Sequence, residues 1–316
     1  MRRWLQALLV SWLLLAAHLV AQTPRLDATS VERSVRDVAA VFAREYFDIP
    51  MIESVRAALS AGLVNGRYGK AADAAELAQW LTSDMSAVTG DKHIAVQLAR
   101  PPGPGAPAPT RDLPTTAGFR RTEILAGNIG LLEMTFFLRV VEHQAALNEA
   151  MKVLQPTAAL ILDMRANTGG SPGTVALLMS YFFDEVGRPL FEIIPRSGER
   201  QLYSSTRDPI AWRDSKRPVF VLTSRNSFSG GEGLAFLLQD AKRATVVGEV
   251  TAGAANPGRP YPVNDLFEVT VPNGQLLTVS SRKNWEGRGV TPDVLVPAAD
   301  ALNEAHTRAL AALKPR

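Results

Sequence analysis

The 316-residue sequence contains no cysteine. That absence excludes disulfides, thiol catalysis, thiolate metal sites and lipid attachment to an N-terminal cysteine. Net charge is small as well. The 34 Lys and Arg residues against 31 Asp and Glu leave only +3. With no dense basic run, nucleic acid is not an expected partner. Histidine is scarce at four residues, one of them His18. Imidazole chemistry beyond the N-terminus therefore falls to His93, His143 or His306. Past residue 25 no segment is long and apolar enough to span a bilayer, and no internal repeat is present. Apolar residues, by contrast, make up 46% of the chain against 21% charged. That supports a sizeable core, either one large domain or a core with a smaller companion.

The opening stretch, "MRRWLQALLVSWLLLAAHLVAQTPR", has two arginines, an apolar run from Trp4 to Ala17 and small residues near Ala21. This is the three-part layout of a secretory signal over residues 1–21, with cleavage after Ala21. An uncleaved N-terminal membrane anchor is the alternative, although the run is short for a spanning helix. A periplasmic or secreted protein with no stable membrane span after signal removal is expected.

A helical region follows over residues 28–98. In "ATSVERSVRDVAAVFAREYFD", Val31, Val35, Val38, Phe42 and Tyr46 keep helical spacing, and Thr29 and Glu32 have capping-box spacing. "MIESVRAALSAGL" predicts a second helix. "ADAAELAQWLTSDMSAVTG" predicts a third, capped by Asp73 and Glu76 and stopped at Gly90. "HIAVQL" then alternates like a strand. Residues 99–116, with five prolines between Pro101 and Pro109, read as a stiffened linker too short to hold another domain. From 117 to 313 strands and helices alternate, which argues for an α/β layered core. Strands are expected at "RRTEIL", "IGLLEM", "AALILDM", "PVFVLT" and "ATVVG". Helices are expected over 139–154, 172–186, 231–240 and 298–313, and a hairpin at Asn273-Gly274.

Two strand-to-helix junctions could carry chemistry. In "LILDMRANTGGSPGTVALL" a buried strand runs into Gly169-Gly170, at the strand end where α/β sites form. The pair is either a tight turn or a place where bare amides meet a ligand. It lacks the spacing of a phosphate loop. In "PVFVLTSRNSFSGGEGLAFLLQD", Ser229 stands where the helix N-terminus offers unpaired amides and partial positive charge. Ser229 is either an N-cap or a nucleophile whose oxyanion the Gly230 amide would hold, with Gly169 or Gly170 supplying a second donor. Ser227 is the rival serine. A reactive serine needs a base. His143 and His306 read as solvated positions on amphipathic helices, whereas His93 follows "TGDK" at a helix-to-strand junction. Asp91 is two residues away, a poor spacing for orienting that ring, and Glu286 in "NWEGRGVTPD" is the better carboxylate.

Together, "DKH", "LILDMRANTGG", "VFVLTSRNSFSGGEGLAFLLQDAKRATVVGEVTAG" and "NWEGRGVTPDVLVP" resemble the C-terminal-processing, or tail-specific, serine peptidase family. Within it they are most similar to the branch of the Tricorn protease core and the interphotoreceptor retinoid-binding protein repeats. The resemblance covers most of residues 30 to 310. It implies a crotonase-like (ClpP/crotonase) α/β core with a small helical N-terminal domain. It also implies a nucleophile at Ser229, a base at His93, its carboxylate partner at Glu286, and oxyanion donors at Gly230 and one of Gly169 and Gly170. Neither a cofactor nor a metal is implied, and the expected partner is a peptide or protein substrate.

Three departures qualify the match. Ala254 stands where many relatives carry a dyad lysine, so histidine must be the base. Lys92 replaces a serine that precedes the histidine in the Tricorn branch. No PDZ domain is read in the chain, which argues against a tail-tethering mode of action. The leading expectation is an exported serine endopeptidase. The alternatives are a non-catalytic protein holding an apolar ligand or peptide on the same fold, and an acyl-CoA enzyme, which export would remove from its substrate pool. Oligomeric state is not legible.

Overall fold

The computed structural model describes residues 26–99, 118–208 and 210–314. The signal-like segment and all but the first residue of the Pro-rich stretch lie outside the described residues. Three helices come first, α1 (Ala28–Glu45), α2 (Ile49–Val64) and α3 (Ala74–Thr89), followed by strand β1 (Ala95–Leu98). Val31, Val35, Val38 and Phe42 of α1 are buried at the expected spacing. Its cap is not the expected one. Asp27, rather than Thr29, precedes the first turn, and its carboxylate accepts the Ser30 N–H at 2.7 Å. An ionised oxygen is the stronger acceptor for an orphan helix amide. Helix α3 begins as its sequence indicates, with Asp73 accepting the Glu76 amide and Glu76 accepting that of Ala72. It ends at Gly90, φ 73°.

The remaining elements are β2 (Phe119–Leu125), β3 (Ile129–Met134), α4 (Val140–Leu154), β4 (Ala159–Asp163), α5 (Pro172–Met179), β5 (Pro189–Pro195), β6 (Gln201–Ser204), β7 (Val219–Thr223), α6 (Gly230–Asp240), β8 (Thr245–Gly248), β9 (Gly258–Pro262), β10 (Phe267–Pro272), β11 (Gly274–Thr278), β12 (Val294–Leu295) and α7 (Ala301–Ala312). A six-stranded sheet runs β12-β8-β7-β4-β3-β2. Its strands are parallel except β2, which runs antiparallel to β3. Strands β4 and β7 are buried at every position, as expected where helices cover both faces. One face packs Leu132, Leu160, Leu162, Val219, Val221 and Val246 into a core shared with α4, α5 and α6. The other packs Ile129, Ile161, Phe220, Leu222 and Val247 against Ala301, Ala305 and Ala309 of α7. The fold is thus a mixed α/β architecture.

Two expectations fail. Helix α5 stops at Met179 and passes into a 3-10 turn over Ser180–Phe182. There the Ser180 hydroxyl bonds back to the Ala176 carbonyl at 2.8 Å, a contact that bends helices. Asn273-Gly274 does not close a hairpin. β10 pairs with β1 and β9, whereas β11 pairs with β5 in a separate sheet ordered β11-β5-β6. Neither Asn273 nor Gly274 takes the positive φ that such a turn requires. The apolar faces also part company: Phe267, Val269 and Val271 join the core of α1–α3, and Leu276 joins the main core.

The helical region is therefore not closed by itself. Tyr261 and Phe267 from late in the chain pack among Val38, Phe42, Leu77 and Leu81, and β1 is hydrogen-bonded to β10. This union brings the loop after α3 beside the loops after β7 and β8. Phe267 is fully buried, so Phe267→Ala is expected to cost about 3–5 kcal/mol. Urea unfolding should show that loss, with amide-exchange protection falling first in α1–α3.

Candidate active site

Strand β7 passes to α6 through residues 224–229. Ser229 sits at the N-terminus of α6 with φ 51° and ψ −117°. A non-glycine residue in such backbone costs on the order of 1–3 kcal/mol and needs outside support. Glu232, fully buried, supplies it. Its Oε2 accepts the N–H groups of Ser229 at 2.8 Å and Ala254 at 3.0 Å. Its Oε1 accepts the Thr251 hydroxyl and the Gly253 N–H, both at 2.6 Å. Burial pushes the Glu232 carboxyl up, while these four donors pull it back. Ser227 is buried and committed: its hydroxyl donates to the Met164 carbonyl at 2.8 Å and accepts the Ser224 N–H at 3.0 Å.

The loop after β4 presses against Ser229. A Cβ added to Gly169 would lie 2.7 Å from the Ser229 Cβ, and one on Gly170 would lie 2.0 Å from the Phe137 carbonyl. Both glycines have positive φ, 104° and 126°. Asn167 joins the two loops, accepting the Phe228 N–H on its carbonyl and the Gly169 N–H on its Oδ1 at 2.9 Å. That second bond removes Gly169 as an oxyanion donor. The amides of Gly170 and Gly230 make no hydrogen bond among the described residues. They lie close together, since a Cβ on Gly230 would stand 3.3 Å from the Gly170 nitrogen.

His93 comes from the turn between α3 and β1. Its ring packs against Phe228, the residue before Ser229, at 4.9 Å between centroids. Its Nδ1 lies 3.9 Å from Asp91 Oδ1. Asp91, His93 and Glu286 each present an atom within 4.8 Å of the others. Asp91 Oδ1 accepts the backbone N–H of His93 at 2.9 Å, and its Oδ2 accepts Asn256 Nδ2 at 3.3 Å. Glu286 Oε2 accepts the N–H groups of Ala255 at 2.6 Å and Asn256 at 2.9 Å. Glu286 Oε1 and His93 Nδ1 are buried without a hydrogen-bond partner. Burial pushes His93 down to about 4, so its ring is neutral and able to take a proton. Burial, then the neighbouring Asp91 charge, raises Glu286 to about 7, and burial raises Asp91 to about 6.

The other candidates resolve plainly. Lys92 Nζ donates to the Ala252 carbonyl. Ala254 is buried, its carbonyl accepting Trp285 Nε1 at 3.2 Å. His143 is not on a solvated face. It is fully buried, its Nδ1 accepts the Leu138 N–H at 3.0 Å, and Phe119 meets it edge-on. That bond ties the segment just before α4 back to the helix's fourth residue, while Arg139 gives no side-chain cap. His306 bonds the Ala126 carbonyl at 2.8 Å. Sequence reasoning missed the roles of Glu232, Asn167 and Asn256. Only Glu232 left a signal, a glutamate three residues into the helix after a serine.

A strained serine at a strand-to-helix turn, two free amides beside it and an imidazole–carboxylate cluster are features of hydrolase sites. The sequence pattern of peptidase family S41 matches residues 128–296, and that of its N-terminal domain in eukaryotic IRBP matches residues 27–123. The chain belongs to peptidase family S41. It is similar to the carboxy-terminal processing protease CtpB of Bacillus subtilis, 28% identical over 149 residues, covering 45% of this chain and 28% of that protein. It is also similar to the chloroplastic carboxyl-terminal-processing peptidase 2 of Arabidopsis thaliana, 29% identical over 177 residues, covering 54% and 32%. The chain thus spans about a third or less of these relatives. In fold it resembles a protein of Parabacteroides merdae, with TM-score 0.62, 20% identity and coverage of 89% and 96%. A lipoprotein from Streptococcus agalactiae matches with TM-score 0.59, 16% identity and coverage of 90% and 97%.

Two substitutions test this electrostatic arrangement. Glu232→Gln turns an amide group toward donors and is expected to cost about 2–3 kcal/mol, read by urea denaturation. The folded-state value of Glu286 lies above its ordinary one. The folded chain therefore holds a proton that the unfolded chain releases, and stability is lost as pH rises toward 7. Glu286→Gln is always neutral and keeps an acceptor for both amides. It is expected to melt higher than the unaltered protein at pH 8 and alongside it at pH 4.

Proposed function

We propose that this chain is an exported serine endopeptidase built on a crotonase-like core, spanning 117–313, with a helical companion over 28–98 and a signal over 1–21. The observation that carries the reading is Ser229, held in strained backbone against Gly169-Gly170 with the Gly170 and Gly230 amides unclaimed. The Ser229 hydroxyl attacks a peptide carbonyl, and His93, neutral at pH 7, takes its proton. The negative charge that develops on the carbonyl oxygen is received by the N–H groups of Gly170 and Gly230, which need no reorganisation. Collapse expels the amine, protonated by His93, and leaves an acyl ester on Ser229. Water, deprotonated by the same ring, then releases the acid. Glu286 stabilises the imidazolium during both transfers, its partnerless Oε1 being the oxygen available for that contact. Peptide or protein is the substrate class, and no cofactor enters.

Removing the nucleophile from such a site costs on the order of 10⁶ in kcat. A fluorophosphonate probe is expected to label the unaltered protein and not Ser229→Ala, and the variant should lose peptide hydrolysis to that degree. Labelling that persists in Ser229→Ala would sink the assignment. The match to the IRBP N-terminal domain supports a second reading, a carrier on the same fold. Absence of both labelling and hydrolysis, with a co-purified apolar ligand, would favour it.

A further inference from the structure

We infer that Asp91, His93 and Glu286, with the side-chain oxygen of Asn256, form a binding site for a divalent transition-metal ion of the Zn2+ type, and that occupancy switches the serine off. Four observations carry this. The three titratable side chains come from two distant parts of the chain, yet present atoms within 4.8 Å of one another. Two of these groups hold a buried polar atom with no hydrogen-bond partner, His93 Nδ1 and Glu286 Oε1. Asn256, only 5% exposed, holds a third in its Oδ1. The same Asn256 amide group donates to Asp91, and its backbone N–H donates to Glu286, so the residue adjoins the cluster.

The charge and donor set fit. Two carboxylates offset a dication, and an imidazole nitrogen beside oxygens selects zinc-like ions over magnesium or calcium. Bonds of about 2.0–2.2 Å to zinc put neighbouring ligands roughly 3.4 Å apart. The 3.9 Å from His93 Nδ1 to Asp91 Oδ1 is thus half an ångström from that spacing.

The consequence follows from imidazole chemistry. A neutral ring has one N–H and one lone pair. With Nδ1 bound to metal, the remaining proton must sit on Nε2, which can no longer accept one from Ser229. The ion also takes up the Glu286 oxygen that would stabilise the imidazolium. The site is inhibitory, then, not a cofactor site. Only this consequence rests on the proposed function, because binding stands on the cluster's geometry alone.

Equilibrium dialysis of the full chain against ZnCl2, run in parallel on Ser229→Ala, provides the test. Both are expected to bind one ion per chain, displaced by EDTA. Asp91→Asn and His93→Gln, each near in shape to the native residue, are expected to weaken that binding by at least the roughly 10- to 100-fold that loss of a supporting partner costs at metal sites. Hydrolysis by the unaltered protein should fall at least tenfold on saturation and return with EDTA. Binding that survives both ligand substitutions would place the ion elsewhere and overturn the assignment, as would failure to bind at ~100 µM. Hydrolysis indifferent to saturating Zn2+ would overturn the switch. A chain that never hydrolyses peptide but binds the ion would instead count against the peptidase reading while leaving the site intact.

Discussion

One buried carboxylate, Glu232, ties the Ser229 turn to the loop after β8. Glu232 gathers four donors onto two oxygens, one from Ser229 itself and three from residues 251–254. An ionised group out of water is costly unless every lone pair is used, and here the saturation of those lone pairs fixes two loops at once. The strained backbone of Ser229 persists because its N–H has a charged acceptor that a relaxed backbone would lose. The same bonds place Gly253 and Ala254. Those in turn position Ala255 and Asn256, whose amides meet Glu286. The path from the Ser229 turn to the Glu286 carboxylate is continuous.

The second constraint is the junction between the helical region and the core. His93 and Asp91 follow α3, and Glu286 belongs to the segment before β12. They meet because β1 adds to the β10–β9 pair and because Phe267, Val269 and Val271 complete the hydrophobic centre of α1–α3. Loss of that shared core would separate His93 from the Ser229 loop without touching either. The arrangement also explains the opposed titration of the three groups. Little solvent reaches them, so each is driven toward its neutral form, the carboxyls upward and the imidazole downward.

Alternating strand and helix signals gave the α/β class, and strand patterns placed most of the central sheet. β4 and β7 were legible as short apolar runs bounded by turn residues, and α1 and α3 from spacing that tolerates no other face. Gly90, Asp73 and Glu76 worked as local rules say, because caps depend on neighbours in sequence. The failures were local as well as long-range. Thr29 lost the cap to Asp27, since competing acceptors cannot be ranked from spacing. Asn273-Gly274 read as a hairpin, yet its flanking strands bury their apolar residues in different cores. His143 read as a solvated position on an amphipathic helix, yet it is fully buried with its ring bonded to the Leu138 amide.

The chemical inventory lay in the sequence: one histidine after a helix stop, one serine before a helix, glycine pairs at strand ends, no thiol. These follow from residue type and local spacing, which the chain carries with it. Tertiary structure alone decided which glycine amide stays free, that Ser227 is spent on the Met164 carbonyl, and that Asp91 and Asn256 join His93 and Glu286. Each depends on groups brought together across long stretches of chain. Hydrogen-bond partners at that range are set by packing, which no spacing rule encodes.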